Sequence, residues 1–430
     1  MTNTYDPKHP AYFDEADVRQ DLTRIFDLCH GCRLCWNLCP SFGSLFDMID
    51  ARDGQVDALA PAEQDRVVAE CYQCKLCYLK CPYVPPHEWN LDFPRLMMRA
   101  AVARHTRDGG NLTDQALAQT DLIGRVASAV APLANAMTGT PGSLPRQLIE
   151  KTAGIAARRV LPLYSRERFS SWFERRGGSA TSAANGRVAI FQTCMVEYQE
   201  PGIGQDAVKV CERNQIQCEV PHGTVCCGMP WLDAGDMEAF QRHGQKNVSM
   251  LSAHVRQGKD VVVLQPTCGY VLKEEYPAYV GGEEAQLVAE HTYDLAEYLM
   301  KVHREEGKGL DLNFPGPVPA TVAWHAPCHL RAQNMGFKSR DLMALTGAQV
   351  TVIDRCAGID GTWGLRASNY ELARKVAQPM KDEIERANAE VVVGDCHLAN
   401  GAIVEETGRR PVHPIQFMAR AYGIPEEPRK

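Results

Sequence analysis

One cysteine pattern is written twice in this chain, and it dictates what the rest can be. Cys29-His30-Gly31-Cys32-Arg33-Leu34-Cys35-Trp36-Asn37-Leu38-Cys39-Pro40 is followed by Cys71-Tyr72-Gln73-Cys74-Lys75-Leu76-Cys77-Tyr78-Leu79-Lys80-Cys81-Pro82. Three cysteines spaced by two residues wrap one cubane cluster, while a fourth just before proline is carried too far round and reaches the neighbouring cluster instead. The spacing therefore assigns Cys29, Cys32, Cys35 and Cys81 to one [4Fe–4S] cluster, and Cys71, Cys74, Cys77 and Cys39 to a second. Each proline lacks an N–H and is expected to stop helix propagation and turn the chain away. Zinc is satisfied by four cysteines in two pairs and gives no reason for two matched quartets. A disulfide framework needs an oxidising compartment, for which the sequence carries no signal. His30 and His87 lie beside the motifs and read as polar surface residues next to complete cubanes.

At 430 residues the chain suggests two to four domains. Hydrophobic residues make up 45% and charged residues 23%, the balance of a soluble globular protein, with no apolar run long enough for a membrane span. Met1-Thr2-Asn3-Thr4-Tyr5-Asp6-Pro7 has neither the basic nor the apolar region of a signal peptide, so the expected compartment is the cytoplasm. A net charge of −7 argues against nucleic acid as a partner. In a reducing compartment, 17 cysteines are better read as metal thiolates than as disulfides.

Val18, Leu22, Ile25 and Phe26 fall at helical spacing ahead of the first quartet, and Asp65 to Glu70 reads as a helix leading into Cys71. From Asn111 onward Leu122, Ile123, Val126, Val130, Leu133, Ala134 and Met137 mark an apolar helical stripe. Arg146, Lys151, Arg158, Arg159, Arg166, Arg168, Arg175 and Arg176 then outnumber Glu150, Glu167 and Glu174. Such a segment either lies on an anionic membrane surface or a partner, or packs as a hairpin on its own protein with a solvated basic face. Gly177 to Gly186 has the composition of a flexible linker.

The second half repeats itself. Val188-Ala189-Ile190-Phe191 ends near Cys194, Cys226-Cys227-Gly228 follows, and Val261-Val262-Val263-Leu264 ends just before Cys268. After Pro-rich Phe314 to Pro319, Val322-Ala323-Trp324 ends near Cys328, Cys356-Ala357-Gly358 follows, and Val391-Val392-Val393 ends near Cys396. Apolar β-branched runs alternating with helical stretches such as Tyr370 to Ala387, with a kink expected at Pro379, read as parallel strands in α/β units. Sites in such sheets lie beyond the carboxyl ends of the strands, where both copies place their cysteines. Cys194, Cys226, Cys227 and Cys268 suffice for a cluster or for zinc. Cys328, Cys356 and Cys396 are one short, which His325, His329, His397 or Asp395 could complete. Zinc, a cluster with an open iron and an empty pocket are all compatible with that count. Cys211 and Cys218 fall outside the repeat and read as buried packing residues.

Two quartets followed by two Cys-Cys-Gly-type modules resemble the iron–sulfur subunits of flavin-linked dehydrogenases. The resemblance is closest to the family of the C-type subunit of anaerobic glycerol-3-phosphate dehydrogenase, through Thr120-Asp121-Leu122-Ile123-Gly124, Leu161-Pro162-Leu163-Tyr164-Ser165, Cys226-Cys227-Gly228-Met229-Pro230 and Ala357 to Gly364. The glycolate oxidase iron–sulfur subunit and the heterodisulfide reductase B-type subunit are similar but more distant. The resemblance implies an α/β chain with an N-terminal, mainly helical, two-cluster ferredoxin-like domain and two repeated α/β Cys-Cys-Gly modules. The expected domains are residues 1–105, a helical basic connection with its linker at 106–186, module one at 187–318 and a degenerate module two at 319–430. It also implies two [4Fe–4S] clusters, a further iron–sulfur cluster in module one and zinc in module two. The implied role is an electron-transfer subunit, peripheral to the inner face of the cell membrane. It would take electrons from a flavoprotein dehydrogenase subunit towards quinone or a membrane-bound acceptor. The alternative is a heterodisulfide reductase-like enzyme acting on a thiol, disulfide or peroxide-derived substrate. The chain has no G-x-G-x-x-G after a strand to hold a dinucleotide of its own. The family pattern has a second cysteine where this chain has Ala357, Ala399 and Gln265.

Overall fold

A computed structural model describes residues 5–359 and 361–427, so residues 1–4 of the N-terminal stretch and Asp360 of the Ala357 to Gly364 motif lie outside the described residues. The first helix, Glu15–Cys32, starts where the Asp14 carboxylate accepts the Asp17 N–H at 2.9 Å. Val18, Leu22, Ile25 and Phe26 are buried along one face, as their spacing requires, against Phe42, Leu45, Phe46 and Ile49 of the Pro40–Asp50 helix. The helix ends when Arg33 takes a left-handed φ of 53°, so Cys29 and Cys32 sit on its last turn and Cys35 lies just past it. Pro40 departs from expectation, opening the Pro40–Asp50 helix rather than ending one. At the first helical position the missing N–H costs nothing and the fixed φ suits the helix. Pro82 does lie in a turn, beyond the short Leu76–Lys80 helix, and Cys71 follows the Pro61–Glu70 helix.

The two repeats are two parallel sheets. In the first, β1 (Gly186–Phe191) lies between β2 (Ile216–Glu219) and β3 (Asp260–Val263), and β4 (Thr292–Asp294) extends the β3 edge. In the second, β5 (Thr321–His325) lies between β6 (Gln349–Ile353) and β7 (Val391–Gly394). The two copies share a register logic: Val188 pairs with Asp260 on β1 and β3, and Val322 with Val391 on β5 and β7. Val188 to Phe191 are fully buried because helices cover both faces, which is why these strands read as continuous apolar runs. Pro379 sits inside the expected Tyr370–Ala387 helix. The glycines of the cysteine turns are required: Gly228 has φ 94° with the Phe240 ring against its Cα, and Gly358 has φ 66° with the Ala373 carbonyl there.

Of the two expectations for the connecting segment, the contacts of its basic residues favour packing on its own protein. Arg146 is fully buried and donates to the carbonyls of Thr138, Ala156 and Arg159. Arg159 pairs with Glu405, Arg158 with Glu371, Arg175 with Glu167 and Arg176 with Glu212. The glutamates at 212, 371 and 405 come from distant sequence, so part of the local excess of positive charge is met in space. The apolar stripe, by contrast, is uncovered. Leu122, Val126, Leu133, Leu144 and Leu148 are 59%, 57%, 62%, 80% and 62% exposed on the Thr120–Ala129, Ala131–Thr138 and Leu144–Ala153 helices. The Gly177 to Gly186 stretch is also tied down, with Ala180 N–H on the Glu212 carboxylate and Asn185 bridging the carbonyls of Asn214 and Gly309. No helix among the described residues is long and apolar enough to cross a membrane.

Candidate metal centres

The fold gathers the eight cysteines of the two quartets around two voids. Cys29, Cys32, Cys35 and Cys81 line one void, whose wall Cys77 also reaches, and Cys39, Cys71, Cys74 and Cys77 line the other. Burial, and then the neighbouring thiols, push the Cys29, Cys39 and Cys77 thiols well above their usual range and Cys35 up to about 11. Converging cysteines, most of them at least half-buried, with so little cationic compensation from the protein suit a bound metal, which supplies the missing positive charge. Among the described residues no three His, Cys, Asp or Glu side chains close on a single ion. The quartets ring voids instead, as a cubane wider than one ion requires. Cys32 is exposed, beside exposed Leu34, Trp36 and Leu79, whereas Cys74 and Cys77 are buried. One quartet thus faces solvent and the other the interior.

In module one, Cys194 opens the helix that follows β1, Cys226 and Cys227 precede the Gly228 turn, and Cys268 lies on the Pro266–Tyr270 helix after β3. The four thiols touch in sequence, Cys194 to Cys226 to Cys227 to Cys268. Hydrogen bonds from the Cys194 and Cys227 thiols hold Cys226 well below the usual thiol range despite its burial. Asp121 accepts the Cys226 N–H at 2.8 Å, Asn247 accepts the Val225 N–H at 2.9 Å, and the Tyr276 hydroxyl donates to the Cys227 carbonyl at 2.9 Å. Asn247 and Tyr276 carried no sequence signal, and Asp121 only its place in a family motif. Gly124, on the helix that delivers Asp121, lies against the Tyr198 ring. Gly124→Val should therefore lower stability by about 1–3 kcal/mol through overpacking, read as a drop in Tm, and loosen the Asp121 contact.

Module two meets the buried quartet. Cys328 contacts both Cys74 and Cys356, and the Tyr72 hydroxyl lies 3.5 Å from Cys356 Sγ. Cys328, Cys356, Cys396, His325 and His329 line one cavity. The candidate fourth ligands are unequal. Asp395 is committed to the Trp324 indole N–H and the Ser339 hydroxyl. His329 uses both ring nitrogens, on the Gln73 carbonyl and the Thr267 hydroxyl at 3.0 Å each. His325 is 1% exposed, with Nε2 3.0 Å from the Arg355 carbonyl and Nδ1 without a hydrogen-bond partner. Burial moves its pKa down to about 4, which keeps the imidazole neutral, the form that binds metal. Ala357 and Ala399 pack with Ile359 and Ile403 in an apolar cluster. Gln265 joins the modules: oriented to satisfy both groups, its amide donates to the Asp395 carbonyl and accepts the His397 N–H, each at 3.1 Å. Cys211 and Cys218 are buried against each other in the module-one core, apart from these sites.

Comparison with known proteins agrees with this division. A 4Fe-4S dicluster domain profile matches residues 22–82, and a cysteine-rich domain profile matches twice, at residues 188–273 and 322–398. The C-type subunit of anaerobic glycerol-3-phosphate dehydrogenase from Escherichia coli (strain K12) is 30% identical over 328 residues, 76% of this chain and 81% of that one. The B-type subunit of the CoM/CoB fumarate reductase from Methanothermobacter marburgensis is 24% identical over 64% of this chain and 56% of its own length. Lactate utilization protein A of Bacillus licheniformis is 26% identical over 54% and 96% respectively. With thiol quartets, repeated cysteine turns and these matches in agreement, the chain is an iron–sulfur protein and belongs to the family of the C-type subunit of anaerobic glycerol-3-phosphate dehydrogenase.

Proposed function

We propose that this chain is the electron-transfer subunit of an oxidoreductase complex, carrying electrons from a flavoprotein dehydrogenase towards quinone. The observation that carries the reading is the order of the thiol sites. A quartet with Cys32 at the surface stands next to a buried quartet whose Cys74 touches Cys328 of module two. In this reading two [4Fe–4S] clusters occupy the quartets, and a further iron–sulfur cluster uses Cys194, Cys226, Cys227 and Cys268. Zinc would be held by Cys328, Cys356, Cys396 and His325, which line one cavity but do not close on a single ion as they stand. Similarity to subunits of dehydrogenases and reductases supports a flavoprotein partner. Affinity purification of the tagged chain should bring down a flavoprotein whose substrate bleaches the visible iron–sulfur absorption under anaerobic conditions. Turnover of a disulfide by the chain alone would favour the heterodisulfide reductase-like alternative instead.

The acceptor end has a place in this reading. A cavity of about 950 Å³ runs from Tyr164, near Cys194, to His397, next to Cys396. Its lining includes Asn135, Gly139 and Leu163, the first two close in sequence to exposed Leu133 and Met137. An amphiphilic quinone could pass from an apolar surface into such a space. Attachment to the inner face of the membrane, or to an apolar surface of a membrane-bound partner, would then rest on that stripe and not on charge. Binding should persist through high-salt washing, because salt screens charges and not apolar burial. Leu122→Glu with Leu133→Glu should weaken binding to lipid vesicles on the order of 100-fold or more, since each leucine buried is worth ~1.5–3 kcal/mol. Release by salt alone would contradict this account.

A further inference from the structure

Between Cys74 and Cys77 the buried quartet carries a lysine, and its charge goes to the other half of the chain. Lys75 is 5% exposed, and its ammonium lies 2.9 Å from Oε1 of Glu275, which is 2% exposed. Nζ also donates to Gln73 Oε1 at 2.7 Å. Glu275 lies on the π-helical segment Val271–Val280, which continues the Pro266–Tyr270 helix that carries Cys268. Arg95 stands 4.0 Å from the second carboxylate oxygen. The Tyr270 ring lies 5.9 Å from the ammonium, with His329 stacked on it. Burial opposes ionisation of Glu275, yet the Lys75 and Arg95 charges hold its carboxyl below the usual range.

Such a pair is an expensive way to join two surfaces. Both charges must be desolvated, and an apolar pair of similar volume would often hold as well or better. Lys75 also adopts a left-handed φ of 64°, which glycine or asparagine would occupy more cheaply. What charge adds and apolar contact does not is a fixed field at the Cys74 loop. A cubane that takes up one electron gains one negative charge, with no bond made or broken, so a nearby cation favours its reduced form and a nearby anion its oxidised form.

We propose that Lys75 and Glu275 are positioning residues that set the reduction potential of the cluster at Cys39, Cys71, Cys74 and Cys77, Lys75 raising it and Glu275 lowering it. The inference rests on the reading of a cubane at that quartet, with the flavoprotein as electron source. It makes a segment of module one part of the electrostatic environment of a cluster bound elsewhere.

The test is an anaerobic redox titration of the full chain followed by EPR, reading the signal that Cys39→Ser removes. Lys75→Met should shift the potential of that signal downward and Glu275→Gln upward, and the double variant should return it towards the wild-type value. A purely structural joint would move both single variants the same way, or leave the potential unchanged with the signal intact, and either result overturns the proposal. If one single variant loses the cluster, the other must still shift in its stated direction. Loss of the cluster in all three variants assigns the pair to structure and also overturns it. Absence of any cubane signal from this quartet in the wild-type chain would overturn the underlying functional reading instead, so the two failures are distinct.

Discussion

Replacing Cys39 by serine should destroy the cluster farther away in sequence and spare the one beside it. Cys39 follows Cys35 by four residues, yet it lines the void of Cys71, Cys74 and Cys77, while Cys81 lines that of Cys29, Cys32 and Cys35. The crossing follows from local geometry. The left-handed Arg33 ends the first helix and Cys39 caps the next, which carries the chain away from the first void before the fourth sulfur can turn back. Cys39 is half-buried, and burial first, then the Cys71 and Cys74 thiols, push its own thiol well above the usual range. Iron should fall by about four per chain, the content of one cubane. EPR should lose the buried-quartet signal and keep that of the solvent-facing cluster. Loss of only the Cys29, Cys32 and Cys35 cluster would refute the assignment.

The second large effect separates the two cysteine-rich modules, which are expected to differ in metal because they differ in ligands. Cys227→Ser breaks a chain of four touching thiols and should remove iron and sulfide from module one. Cys356→Ser and His325→Ala each remove one of the ligands assigned to module two, and should release about one zinc while iron stays unchanged. Anaerobic metal and sulfide analysis of the full-length variants reads both at once. Ala357 and Ala399 sit in an apolar cluster where the family pattern has sulfur, so module two is short of the thiolates that a second cluster would need. Iron and sulfide lost from Cys356→Ser in the amount of a full cluster would refute the asymmetry.

The elements that were legible in the sequence are those whose determinants are local. The Glu15–Cys32 helix announces itself through its Asp14 cap and the spacing of Val18, Leu22, Ile25 and Phe26. β1, β3, β5 and β7 announce themselves as apolar β-branched runs because both faces of each sheet are covered. β2, β4 and β6 were not apparent. β4 is three residues long, and the edge strands β2 and β6 are only partly buried, β2 alternating buried with half-buried residues and β6 exposed with half-buried ones until Ile353, so neither reads as a continuous buried run.

Sequence by itself determined the iron–sulfur character and the repeat: eight cysteines in two matched quartets, and a second half that places cysteines after matching strands. Only the tertiary structure decided which charges remain available and which neighbours meet. Periodicity can show that Leu122, Val126 and Leu133 share a face, but not that nothing among the described residues covers them. A run of arginines can show an excess of charge, but not that Glu371, Glu405 and Glu212 return from distant sequence to pair with Arg158, Arg159 and Arg176. The same holds for His325 over His329, and for Lys75 finding Glu275 across 200 residues of chain. Helix and strand formation depend on residues a few positions apart, whereas ion pairing, ligand choice and exposure depend on which segments packing brings together.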